Sequence, residues 1–325
     1  MKKLAFLLGT LALALFGPIA AHAADAAADY PKSPISLVVV YTPGGATDFQ
    51  ARIASMLASD KKYFGQPMVV VNKPGAGGMT GWNWSVEKGP KDGYTIISYN
   101  MPHLAAQAIA NKPSFTVESF EPLANWGADP AVLIVPKDSP YKTVKDLVEY
   151  AKANPGKVTV NGAGLLVGHH IATLQLEKAA GIKLTYIPEK GGTDAFQAVY
   201  SHKVIAGFNN LADAFRNTDN LNVLAIADVK RHPFLPDVPT FQELGYDVDD
   251  ASVNFRGFCF VKGVPQEIVD KAADMSLRMF NDPMVAAKMK ESGSPLHILN
   301  REDTKKMFQA QKAKLEVLLQ TLVKK

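Results

Sequence analysis

Cysteine is almost absent from this chain. Cys259 is the only one in 325 residues, so no disulfide can form within it. Its setting, Phe258-Cys259-Phe260-Val261, marks a small buried hydrophobe rather than a reactive thiolate. Long apolar runs are missing as well: past the N-terminus no stretch approaches the about 18 residues a spanning helix needs. Neither sign of charge is in large excess, with 35 Lys and Arg against 31 Asp and Glu. The formal net charge is +4, and removing residues 1–23 takes away Lys2 and Lys3 but no acid, leaving +2. That balance indicates neither a nucleic-acid face nor a membrane-binding basic patch. No Gly-Lys-Ser or Gly-Lys-Thr follows a glycine loop, which removes the P-loop. No His-Glu-x-x-His or Cys-x-x-Cys supplies metal-ligand spacing. No Gly-x-Ser-x-Gly elbow supplies a hydrolase nucleophile. An enzyme assembled from scattered histidines and acids is unsupported by these patterns rather than excluded, and no catalytic residue, metal or cofactor is expected.

What is present begins with an export signal. Lys2 and Lys3 precede an almost wholly apolar stretch over 4–16, and Ala21-His22-Ala23 fits a small-x-small cleavage site. Residues 1–23 therefore read as a secretory signal peptide cleaved after about Ala23, which marks the mature protein for export. A patternless linker over 24–33 leads into alternating strands and helices. Strands are expected over 35–41, 67–71 and 94–99, and helices over 48–58, 79–88 and 103–111. In the first helix Phe49, Ile53, Met56 and Leu57 share a face. Residues 120–128 read as irregular. A second series follows, with strands over 131–135, 158–160, 184–187, 204–208 and 223–227 and helices over 144–153, 168–180 and 194–200. Strand–helix alternation at this spacing predicts an α/β fold with parallel sheets covered on both faces.

An internal echo suggests two domains. Val132-Leu133-Ile134-Val135-Pro136 leads through a turn to a helix, and Gly257-Phe258-Cys259-Phe260-Val261 does the same before a helix over 266–280. Two such strands suit two crossovers between domains, assigned here to 31–130 with 251–325 and to 131–250. The C-terminal helices over 283–291 and 302–323 then return to the first domain. Two crossovers leave a hinge and a cleft that closes on a ligand.

The stretch that carries most chemistry is Thr42-Pro43-Gly44-Gly45-Ala46-Thr47-Asp48. It ends an apolar strand in a glycine turn and opens a helix. Free backbone N–H groups and the positive end of the helix dipole make such a junction an anion site. Further loops fall at the carboxyl ends of strands, where open α/β sheets bind ligands: Asn100-Met101, residues 161–170, residues 190–193 and Asn209-Asn210. They are rich in glycine, threonine and asparagine and poor in charge, which suits hydrogen-bonded capture without a covalent step. Gly75-Ala76-Gly77-Gly78-Met79-Thr80-Gly81 misses dinucleotide spacing and reads as a packing turn. His169 and His170 point about 100° apart on a helix and do not suit one metal. Arg52 reads as a solvated or ion-paired surface residue.

At this point the chain resembles the Bug family, the periplasmic solute receptors of tripartite tricarboxylate transporters. The matching stretches are Pro43-Gly44-Gly45-Ala46-Thr47-Asp48, Val71-Asn72-Lys73-Pro74-Gly75-Ala76-Gly77-Gly78, Asp92-Gly93-Tyr94-Thr95, Ala153-Asn154-Pro155-Gly156-Lys157, Lys190-Gly191-Gly192-Thr193 and Leu235-Pro236-Asp237-Val238-Pro239-Thr240. They stand in the family's order and cover nearly the whole mature chain. The resemblance implies a type II two-domain periplasmic binding protein with two crossover strands and a ligand cleft between domains. It implies a carboxylate held by Thr42, Pro43, Gly44, Gly45, Ala46, Thr47 and Asp48, with Asn100 nearby. Gly164, Val167, Gly168, His169, Gly191, Gly192, Thr193 and Asn209 then complete the site. The implied partners are a small organic acid, first of all a dicarboxylate, and membrane permease subunits; a monomer is expected. An exported α/β hydrolase or a ligand sensor using the same cleft are the alternatives. Two departures from the family pattern stand out. In Leu166-Val167-Gly168-His169-His170-Ile171 the family serine is Val167 and the family threonine is His169, while His170 keeps the family histidine. The family Phe-Asp is Phe208-Asn209. His169 could replace the lost hydroxyl and make binding pH-dependent. Loss of a negative charge at Asn209 favours an anionic ligand over a cationic one.

Overall fold

The structure, a computed structural model, describes residues 29–322. The expected signal peptide, its cleavage point and residues 323–325 lie outside the described residues. Within 29–322 no helix is long and apolar enough to cross a membrane.

Strand β1 (Ile35–Val39) shows how the first half is layered. Ile35, Leu37 and Val39 enter one apolar cluster, while Val38, with Val40 and Tyr41 just beyond, enters another. A strand apolar on both faces must sit inside a covered sheet. Its neighbours β2 (Met68–Asn72) and β3 (Thr95–Met101) both run parallel to it. Helices α1 (Ala46–Ala54), α2 (Met79–Lys88) and α3 (His103–Asn111) follow these three strands in turn.

The rest of this sheet corrects the expectation of parallel strands. β10 (Asn254–Val261) pairs antiparallel with β3, and β4 (Phe120–Asp129) pairs antiparallel with β10. β11 (Leu296–Leu299) closes the far edge, giving the order β11-β4-β10-β3-β1-β2. β4 is the stretch expected to be irregular. Pro122, Asn125 and Gly127 dilute its apolar pattern, and its pairing with β10 shifts register twice. What makes it a strand is the partner β10, more than a hundred residues away in sequence.

After Pro130 the chain enters a second sheet, ordered β7-β6-β8-β5-β9. Its strands are β5 (Ala131–Pro136), β6 (Thr159–Gly162), β7 (Thr185–Pro188), β8 (Ala206–Asn210) and β9 (Leu221–Ala227). Here too the pairing is mixed: β6 is parallel to β7 and β8, and β5 is antiparallel to β8 and β9. Ala131, Leu133 and Val135 face one apolar cluster, and Val132 and Ile134 face the other. Helices α4 (Val144–Ala153), α5 (Gly168–Ala180), α6 (Gly192–Tyr200) and the short α7 (Leu211–Phe215) cover this sheet. Thr143 and Asp146 form a reciprocal capping box that fixes the start of α4. The chain returns to the first sheet through residues 228–253. Helices α8 (Gln266–Phe280), α9 (Pro283–Glu291) and α10 (Arg301–Leu322) then pack on β4, α1 and α3 respectively. The sequence pattern gave no sign of α7 or β11, which are only five and four residues long.

Helix α1 departs from its expected face. Met56 is exposed, and Phe49, Ile53 and Leu57 are only partly buried. The buried side carries Thr47, Asp48 and Gln50 beside Ala46, Ala51 and Ala54. This polar face meets Arg256, a fully buried arginine on β10 whose relative exposure is 0%. Its Nη1 donates to Asp129 Oδ2 at 2.6 Å and to Gln50 Oε1 at 3.1 Å. Its Nε donates to Thr47 Oγ1 at 3.2 Å, and its Nη2 donates to Asn210 Oδ1 at 2.7 Å. Asp129 also accepts from Gln50 Nε2 at 3.0 Å and from the Ala212 amide at 3.2 Å. Asp129 and Arg256 lie on the first sheet and Asn210 ends β8 of the second, so the network bridges the two sheets next to the Pro130 crossing.

Breaking one partner of a buried pair leaves the other charge uncompensated. Arg256→Met is expected to lower unfolding stability by about 3–5 kcal/mol. The double replacement Arg256→Met with Asp129→Leu should cost less than that single change. Urea unfolding of the three proteins checks both statements; equal stability of Arg256→Met and the parent would contradict them.

Candidate functional site

Three long helices begin at the junction of the two sheets. In α1 the first intrahelical bond runs from Phe49 N to Gly45 O, in α5 from Ile171 N to Val167 O, and in α6 from Ala195 N to Gly191 O. The N–H groups of residues 46–48, 168–170 and 192–194 therefore have no partner inside their own helices. Between these ends lies a small cavity of about 20 Å³, lined by Tyr41, Gly45, Ala46, Thr47, His103, Ala163, His169, Gly192, Asn210 and Asn254. No acidic or basic side chain lines it, apart from the two histidines. Orphan N–H groups and three dipole ends make the cavity positive without a formal charge at its wall.

Thr47 links the cavity to the buried arginine. Its Oγ1 accepts from Asn100 Nδ2 at 2.9 Å and from Arg256 Nε at 3.2 Å. With both lone pairs engaged, the hydroxyl proton is left to donate elsewhere. Asn100 also donates to Asn254 Oδ1 at 3.1 Å, while its own Oδ1 is buried without a partner. Asp48 turns away from the cavity. It accepts from the Gly44 amide at 3.0 Å, from Arg52 through two bonds of 3.0 Å, and from Asn72 at 2.8 Å. These bonds outweigh its partial burial and hold its carboxyl below the usual range. Asp48 thus fastens the loop that presents Gly45, Ala46 and Thr47.

The two halves touch through the glycine loops. A Cβ built on Gly191 would fall 2.1 Å from Thr42 Oγ1, and one built on Gly45 would fall 3.7 Å from Thr193 Oγ1. A Cβ on Gly164 would meet Gly77 Cα at 3.0 Å, and one on Gly168 would meet Ser252 O at 2.4 Å. Pro43 and Gly44 are exposed, and Thr193 is exposed beside them. Val167 is buried and precedes the first residue of α5. Asn209 is buried beside the cavity but bonds within the second half, its Nδ2 donating to Gly192 O at 3.3 Å. The structure therefore brings Gly45, Ala46, Thr47, His169 and Gly192 to the cavity wall and places Thr42, Gly191 and Thr193 at the seam beside it.

Tyr41, His103, Asn254 and the supporting Arg256 are additions that sequence patterns did not assign to the site, whereas Asn210 belongs to the expected Asn209-Asn210 loop. A lone arginine in the apolar strand Phe255-Arg256-Gly257-Phe258-Cys259-Phe260 was the one available signal. Among the described residues no group of three or more His, Cys, Asp or Glu side chains is placed to hold a metal ion.

The histidines are neutral at ordinary pH. Burial, followed by the nearby Arg256 charge, pushes His169 down to about 4, with Asn210 and Asp129 pulling weakly the other way. Burial alone brings His170 to about 4, and it holds His103 well below the usual imidazole range. His170 stays off the cavity, with Leu166 N donating to its Nδ1 at 3.1 Å and its ring against Tyr186.

A family model described as the tripartite tricarboxylate transporter family receptor matches residues 52–323. The chain belongs to that family. Family members are periplasmic solute-binding receptors. Among similar proteins, the "UPF0065 protein in gbd 5'region" of Cupriavidus necator is 34% identical over 267 residues, 82% of this chain and 80% of the relative. Protein BugT of Bordetella pertussis is 32% identical over 240 residues, 72% of this chain and 73% of BugT. The receptor fold superimposes on the periplasmic binding protein BugD with a TM-score of 0.83 at 28% identity, covering 90% of this chain and 98% of BugD. An R. palustris protein solved with adipate gives 0.82 at 25% identity, covering 90% and 98%. Two mixed sheets joined by two crossings are thus the two-domain fold of the family.

The histidine shifts set a pH dependence of stability. Each of the three binds a proton more readily in the unfolded chain, near its ordinary value of about 6.5, than in the folded receptor. Their stabilising neutrality is complete above about pH 6.5 and is lost as the pH falls, towards about 4 for His169 and His170, at up to about 1.4 kcal/mol per pH unit for each histidine. The urea midpoint should therefore drop between pH 7 and pH 5, and less steeply in His169→Gln. Parallel declines in the two proteins would show that His169 does not titrate in this window.

Proposed function

We propose that this receptor captures a small organic acid, a dicarboxylate first, and delivers it unchanged to the membrane permease subunits of a tripartite transporter. The observation that carries the reading is the convergence of three helix N-termini on one cavity that has no acidic side chain at its wall. The bound adipate of a relative at 25% identity supports the same chemistry. Residues 31–130 with 251–325 serve as one closing body and 131–250 as the other, and the exported chain acts as a monomer in the periplasm after cleavage near Ala23.

One carboxylate sits on the N–H groups of residues 46–48 and the Thr47 hydroxyl. Closure brings the ends of α5 and α6 over it, with Gly164, Val167, Gly168, Gly191, Gly192 and Thr193 forming the second wall. The cavity as it stands admits little more than one water-sized group, so a diacid requires the halves to part further than they do here. No carboxylate, thiol or serine hydroxyl lines the cavity, and Asp48 is bound to Arg52, which favours binding over turnover.

A calorimetric screen of di- and tricarboxylates, aromatic acids, amino acids and neutral solutes tests the reading. At least one carboxylate should bind and be recovered chemically unchanged; binding confined to neutral solutes, or conversion of the bound acid, would overturn it. Closure has its own test in Gly191→Ala. Gly191 has an extended backbone that any residue adopts, φ −175°, so the added methyl strains nothing locally. It meets Thr42 Oγ1 at 2.1 Å and Thr42 Cβ at 3.3 Å, across the seam. Affinity should fall by roughly 10-fold or more with little change in unfolding midpoint. An unchanged affinity would mean that this seam is not part of the closed complex.

A further inference from the structure

We infer that His103 and His169, facing one cavity from opposite halves of the receptor, form an acceptor–donor pair that selects acids carrying a hydroxyl group close to the bound carboxylate. The inference rests on the receptor reading above and adds a requirement on the ligand's chemistry.

Hydrogen bonds fix the two tautomers. The Tyr41 hydroxyl lies 3.0 Å from the Gly77 carbonyl and 2.5 Å from His103 Nδ1. A carbonyl can only accept, so the single phenolic proton goes to Gly77. His103 Nδ1 must then carry a proton and donate it to the Tyr41 oxygen, which leaves Nε2 as a bare acceptor. His169 is the reverse. The Ala163 amide donates to His169 Nδ1 at 3.1 Å, so Nδ1 is the bare nitrogen and Nε2 carries the proton. Both Nε2 atoms are buried without a partner, and both residues line the same cavity, at 3% and 2% exposure. Burial keeps both rings neutral, so each has one fixed role.

An acceptor and a donor, each buried and unsatisfied, call for a ligand atom that donates once and accepts once. A hydroxyl does both through a single oxygen. A carboxylate or an ether accepts but cannot donate, and an ammonium donates but cannot accept. The same cavity wall holds Gly45, Ala46, Thr47 and Gly192, where the carboxylate is placed, so the hydroxyl falls beside that carboxylate. A 2-hydroxy acid meets that spacing.

Matched acids test this by calorimetry on the purified receptor: lactate with propionate, malate with succinate, and 2-hydroxyglutarate with glutarate, each with its 2-methoxy analogue. In every set that binds, the hydroxy acid should be tighter than both the deoxy and methoxy members by at least roughly 10-fold, because only it satisfies both nitrogens. If the deoxy acid binds as well as the hydroxy acid, the inference is wrong and the receptor reading stands. If no acid in any set binds, the inference fails. If carboxylates outside the panel also fail to bind, the receptor reading fails with it. His103→Phe should bring the hydroxy-to-deoxy ratio to about 1; a retained ratio contradicts the assignment. Long-range proton–nitrogen NMR of the unmodified receptor needs no substitution. It should show His103 protonated at Nδ1 and His169 at Nε2, and the same tautomer in both rings would overturn the pair.

Discussion

A guanidinium with no solvent exposure is the constraint on which the rest of this receptor depends. Burying a charge is costly unless a partner and a full set of hydrogen bonds replace its water. Arg256 uses Nε, Nη1 and Nη2 on four acceptors drawn from α1, the end of β4 and the end of β8. Satisfying it dictates that α1 turn a polar face inward, that Asp129 stand at the Pro130 crossing, and that Asn210 reach across from the second sheet. The position of Thr47, and through it the first wall of the cavity, follows from the same bonds. The stability of the crossing at Pro130 and the geometry of the cavity therefore have one origin.

The cavity itself is built from partial charges rather than ions. Helix ends supply the positive potential, Asp129 neutralises the arginine behind them, and the histidines are held neutral by burial. A site of this kind suits a receptor that must release its cargo. On the proposed reading it would stabilise a carboxylate through dipoles that need no reorganisation, with no direct ion pair whose rupture would slow dissociation. Discrimination would then fall to the neutral donors and acceptors, and among the residues lining the cavity the two histidine Nε2 atoms are buried without a partner.

Local chemistry was legible in the sequence and long-range contact was not. Helices over 79–88, 103–111, 144–153, 168–180, 266–280 and 283–291 stand where apolar periodicity and turn residues place them. The glycine loops after β1, β6 and β7 were readable because turn chemistry is local. β4 was not, because Pro122, Asn125 and Gly127 have strand character only once β10 lies beside them. Nor was the mixed sheet, since β10 slots between β3 and β4 from far along the chain. His103 and His169 come together across 65 intervening residues, and Arg256 meets Thr47 across a sequence separation of 209. No spacing rule covers such distances. The inward polar face of α1 was misread because Phe49, Met56 and Leu57 outweigh Thr47, Asp48 and Gln50 on any hydropathy pattern.

The central claim is that one carboxylate is held jointly by helix ends from both halves of the receptor. A crystal structure of the receptor with a bound acid tests it most directly. The account predicts carboxylate oxygens within about 3 Å of N–H groups among residues 46–48 and, in the same closed molecule, of those among residues 192–194 or 168–170. A carboxylate held instead by lysine or arginine side chains on one half alone would contradict it.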